Sequence, residues 1–62
     1  MKDYYGVLQL LKRFGIYVYT GDRKSDIELI QSEVKSLYDN GLILKEDYLM
    51  AVLIVRRKLS EL

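Results

Sequence analysis

Apolar residues return every three or four positions along most of this chain, and that rhythm predicts helices. It is clearest in "SDIELIQSEVKSLYDNG", where Ile27, Ile30, Val34, Leu37 and Tyr38 make one stripe. Ser25 followed by Glu28 matches a capping box, and Asp22 is a rival cap one turn earlier. Asn40 and Gly41 are residue types that accept a left-handed stop. In "LILKEDYLMAVLIVRRKLSEL", Glu46 and Asp47 open a second helix and Arg56, Arg57 and Lys58 close it, in keeping with the helix dipole. Leu44, Tyr48, Ala51, Val52, Val55 and Leu59 form its core stripe, while Leu49, Met50, Leu53 and Ile54 fall outside it. The unbroken apolar run from Tyr48 to Val55 also suits a buried strand, but its charged flanks and length favour helix. In "DYYGVLQLLKRFG", Tyr4, Val7, Leu11 and Phe14 share one side, with Leu8 beside them. Gly15 ends that helix, and Asp3 or Gly6 lies near its start.

The expected fold is all-α: a three-helix bundle over residues 1–62, with helices near 3–14, 22–40 and 44–60. The last two helices join through a few residues around Gly41 and must run antiparallel. The first two are joined by "FGIYVYTGDRKSD", whose alternation of Ile16, Tyr17, Val18 and Tyr19 is strand-like but has no partner strand. A long extended loop is expected there, with Ile16 and Val18 turned inward.

Together "LLKRFGIYVYTGDR", "DIELIQSEVKSLYDNGLI" and "KEDYLMAVLIVRRKL" resemble the YqgQ family of small bacterial proteins, and "YTGDR" followed by "DIEL" is the most specific part. The resemblance covers nearly the whole chain. That family is an uncharacterised group of helical-bundle domains, so the resemblance implies a fold and almost no chemistry. Leu44 departs from the pattern, which tends to carry a capping hydroxyl there. "SLYDNGLILKEDYLMAVLIV" is also, more loosely, similar to the short SHOCT-type helical hairpins used for oligomerisation.

Composition narrows the function. Cysteine, histidine and proline are absent, so disulfides, thiolate metal sites and most nucleophilic or general-base schemes are excluded. Glu46 and Asp47 point apart on a helix, Asp22 and Asp26 alone make a poor metal site, and "YTGD" lacks the spacing and lysine of a P-loop. No enzyme, no cofactor and no metal are expected. The aspartate in "MKDYYG" does not suit a signal peptide, and no apolar run is long enough to cross a bilayer. A soluble, cytoplasmic protein is expected.

The net charge of +1 conceals a polarity if the bundle runs up, down, up. Residues 10–28 and 53–62 would then share a pole with seven cations and four acids, a net +3, and the rest would carry −2. Lys12, Arg13, Tyr17, Tyr19, Thr20, Gly21, Arg23, Lys24, Arg56 and Arg57 become candidate contacts for single-stranded RNA or DNA, or for another phosphate-bearing ligand. Helix amino-terminal amides favour phosphate, Arg23 can contact it bidentately, and tyrosines can stack bases. Each feature also has a plainer explanation. Helix dipoles alone favour cations in last turns, Tyr17 and Tyr19 can fold over a small core, and Asp22 with Arg23 can be a cap and a local pair. Tyr4, Tyr5, Tyr38 and Tyr48 are expected at core edges. A pI near 7.9 is low for a dedicated nucleic-acid binder. The alternative function uses Leu49, Met50, Leu53 and Ile54 as an interface for a homo-oligomer or a protein partner.

Overall fold

A computed structural model describes residues 1–62 and contains three helices: α1 (Tyr4–Arg13), α2 (Arg23–Asp39) and α3 (Lys45–Ser60). There is no strand, and the fold is an all-α three-helix bundle. Local chemistry sets each boundary. The Asp3 carboxylate accepts from the Gly6 amide at 2.9 Å and caps α1. Between the two possible caps of α2 the chain uses Asp22, whose carboxylate accepts from the Ser25 amide at 2.9 Å while its carbonyl accepts from Asp26. Ser25 therefore lies inside the first turn. Leu44 caps α3 with no side-chain hydrogen bond, and Glu46 and Asp47 supply the negative charge that its amino end favours.

α1 and α2 stop in the same way. Gly15 and Gly41 have φ of 73° and 71°, a conformation open to glycine at little steric cost. The amides just beyond each helix fold back: Gly15 to Lys12 and Ile16 to Leu11, then Gly41 to Tyr38 and Leu42 to Leu37. These are two Schellman motifs, each with an apolar residue just beyond the glycine.

The direction of α1 differs from the expected order. The Lys58 ammonium, near the end of α3, lies 5.5 Å from the ring centroid of Tyr4, at the start of α1. A groove between these two helices is lined by Tyr5 and Leu8 on one side and by Ile54, Arg57 and Glu61 on the other. So α1 runs antiparallel to α3, and it must run parallel to α2. The up, down, up arrangement is thus corrected. The reason lies in the connection, residues 14–22. α1 is about 15 Å long, and four extended residues cover about 13 Å. Ile16 to Tyr19 can therefore return along α1 to its starting end. They do so against Leu8 and Leu11, with Ile16 and Val18 half-buried on the core and Tyr17 and Tyr19 outward.

The core contains Val7, Leu11, Ile27, Ile30, Val34, Leu37, Ala51 and Val55. No polar side chain is buried. Leu10 is buried as well, although the expected stripe omits it. Phe14 and Leu44, both expected inward, are exposed, because each sits at a helix cap where the stripe has run out. Tyr38 and Tyr48 stack at 4.3 Å with rings 8° from parallel, joining the end of α2 to the start of α3. Tyr5, expected at a core edge, is exposed.

Candidate functional site

The parallel course of α1 and α2 redraws the candidate pole. The starts of α1 and α2 and the close of α3 share one end of the bundle. Lys2, Tyr4 and Tyr5 therefore come beside Arg57 and Lys58 in a groove of about 530 Å³. Arg23 and Asp26 lie near enough to Tyr4 to act on its hydroxyl, though burial is the larger influence and pushes its pKa up. Lys12 and Arg13 belong to the other end of α1. Lys12 lines a smaller groove of about 240 Å³ beside Tyr17 and Tyr19, away from the arginines. The expected gathering of Lys12 and Arg13 with Arg23 and Arg56 is therefore overturned by the reversed direction of α1.

The turn "YTGDR" is built around Asp26. Its Oδ1 accepts from both the amide and the hydroxyl of Thr20, each at 2.6 Å. The Asp22 amide donates to the Thr20 hydroxyl at 3.2 Å. Gly21, at φ 86°, makes the tight corner between them possible. Thr20 and Gly21 thus shape the entry to α2.

Of the amides at the start of α2 that are the expected phosphate contacts, that of Ser25 is taken by the Asp22 cap. The Asp22 carboxylate occupies the positive end of the helix dipole, and bonds from Ser25 lower its pKa. An added anion there would meet a negative charge. The charge balance shifts as well. Lys2, Arg23, Lys24, Arg56, Arg57 and Lys58 stand against Asp3, Asp22, Asp26, Glu28 and Glu61, so this end holds six cations and five acids. Most of these acids are engaged locally. Asp3 and Asp22 cap helices, Asp26 holds Thr20, and Glu61 lies 3.7 Å from Lys58. Lys2, Arg23, Lys24, Arg56 and Arg57 form no ion pair, since the two salt bridges are Lys58–Glu61 and Lys35–Asp39. Tyr19 is 88% exposed and Tyr17 is 74% exposed, so neither covers the core.

Arg56 faces α2 along a shallow groove with Glu28, Gln31 and Lys35. The apolar strip of α3 divides in two. Leu49, Met50 and Leu53 are exposed, Leu53 by 65%, whereas Ile54 is half-buried and packs on the core. Lys2 and Tyr5 were absent from the expected site. Their place depends on the direction of α1, which helical periodicity does not encode. No helix is long and apolar enough to cross a membrane.

A sequence profile of the YqgQ-like family matches residues 1–61. A relative from Bacillus subtilis (strain 168), described as "Uncharacterized protein YqgQ", is 44% identical over 61 residues, covering 98% of this chain and 86% of the relative. With the match running from end to end, the chain belongs to the YqgQ-like family.

Proposed function

We propose that this protein is a binding domain, not an enzyme, and that it holds single-stranded nucleic acid at the end where α1 and α2 start and α3 closes. One observation carries the reading. Five cations without ion pairs, from three separate elements, share one end of the bundle with the exposed ring of Tyr5, which lies beside Lys2 and Arg57, and with exposed Tyr19, next to the Thr20 turn that opens α2, while most nearby acids are engaged in caps and turns. Unpaired cations are free to meet backbone phosphates, and exposed tyrosine faces can stack bases without regard to sequence, at about 1–3 kcal/mol per base. The arginines and lysines serve here as side-chain contacts, with no role for the capped amino terminus of α2.

The test is fluorescence anisotropy with a short labelled single strand, RNA and DNA in separate titrations. Affinity should fall with salt, with a log–log slope of about −3.5 if all five cations meet phosphates, because each neutralised phosphate of a single strand contributes about −0.7. Arg23→Glu with Lys24→Glu should abolish binding, Tyr19→Ala should weaken it about fivefold, and Arg13→Glu should change it little. Failure to bind at low salt, or an Arg13→Glu effect as large as that of Arg23→Glu, would remove this assignment.

A further inference from the structure

We infer that the outward face of α3 pairs with the same face of a second copy of this chain, antiparallel about a two-fold axis. Along that face Glu46, Leu49, Leu53 and Arg57 follow one another at spacings of three or four, and Met50, four after Glu46 and three before Leu53, lies beside them, so the five form one band on the helix surface. Leu49 and Met50 are about half exposed and Leu53 more so, although most large apolar residues of α3 on the opposite side are covered. Glu46 and Arg57 are exposed and belong to neither salt bridge. The face therefore carries an acid at one end, a base at the other and an apolar centre.

That order selects its partner. A parallel copy would set Glu46 against Glu46 and Arg57 against Arg57. An antiparallel copy sets each Glu46 against the other copy's Arg57, and the two-fold axis makes the contact twice. The same register places Met50 opposite Leu53 and Leu49 opposite the exposed edge of Ile54. Within one chain Glu46 and Arg57 are about three turns apart and cannot meet. One helix pair buries less than the roughly 1,200 Å² of a standard interface, so the dimer is weak and depends on concentration.

Sedimentation equilibrium of the full chain tests this, from low micromolar to about 1 mM. A monomer–dimer equilibrium is expected, with Leu53→Glu weakening it at least about tenfold while far-ultraviolet circular dichroism keeps its helical amplitude. Glu46→Arg and Arg57→Glu should each weaken association, and the double reversal should restore it. Both reversals oppose the dipole of α3, so a purely structural effect would accumulate in the double variant. A wild-type chain that stays monomeric throughout would overturn the inference. So would a Leu53→Glu chain that dimerises normally, or a double reversal that associates no better than the singles. Arg57 belongs to both surfaces, whereas Leu53 and Glu46 lie outside the strand-binding set, so the Leu53→Glu outcome separates this inference from the nucleic-acid reading.

Discussion

α1 and α2 end with the same chemistry and lead the chain in different directions. Both stops place a glycine at φ near 70°, both close the same pair of backbone bonds, and both continue into an apolar residue, Ile16 or Leu42. After Leu42 only Ile43 and Leu44 precede α3, and the next helix turns straight back. After Ile16 six more residues precede α2, and they return along α1 before the next helix begins. A helix stop thus fixes where a helix ends. The length and the inward residues of the connecting segment fix the direction of the next helix.

The contrast should collapse if the long connection is cut toward the length of the short one. Deleting Tyr17 and Val18 removes about 6 Å of reach and one inward contact, so α1 can no longer lie beside the start of α2. Val7, Leu10 and Leu11 would then lose much of their burial, a loss of several kcal/mol, on the order of a small domain's whole stability. Urea unfolding followed by circular dichroism should show a collapsed midpoint. Inserting two flexible residues at the same place should cost less than about 1 kcal/mol, and an equal loss from both changes would show that length is not what directs α1.

A milder change probes the likeness of the two stops. Gly15→Ala and Gly41→Ala should each cost about 1–2 kcal/mol, because a side chain disfavours the left-handed backbone. A Cβ added at either position would meet nothing within 4 Å, so the cost is purely conformational and should be nearly equal. Midpoints that differ by the whole amount would show that one stop is supported by packing the other lacks.

A still smaller effect separates the two ends of α2 by pH. The pKa of Asp22 is lowered by hydrogen bonds from Ser25, so its contribution is present above the ordinary carboxylate value of 3.8 and is lost as pH falls through the lowered one. Lys35, raised by its bond to Asp39, and Tyr4, raised chiefly by burial, contribute fully below their ordinary values of 10.5 and 10.0. Both contributions are lost as pH rises beyond those values. The melting temperature should therefore fall at both extremes, and Asp22→Asn should flatten the acid side alone. An unchanged acid limb in that variant would show that the cap does not set the acid response.

The bundle was legible because its stripes are regular: Ile27, Ile30, Val34 and Leu37 are all buried as their spacing predicts. Ile16 and Val18 turn inward as their alternation implies. The direction of α1 was not legible. Periodicity is the same for a helix running up or down, and only the contact between residues as distant as Tyr4 and Lys58 distinguishes them. Lys2 and Tyr5 entered the candidate site, and Lys12 and Arg13 left it, through that one unencoded choice. The cap of α2 was readable only as two alternatives, since Asp22 and Ser25 both offer an oxygen at a suitable distance from amides downstream.

The packing of α1 also sets an order of opening. α2 and α3 meet across a five-residue link and can close quickly as a local hairpin. α1 packs less extensively on α2 and α3 than these two pack on each other, so less burial holds it in place. α1 is thus expected to open first, with its amides exchanging hydrogen faster than those of α2 and α3. One end of the bundle is consequently made of a durable half, carrying Arg23, Lys24, Arg56 and Arg57, and a labile half, carrying Lys2, Tyr4 and Tyr5.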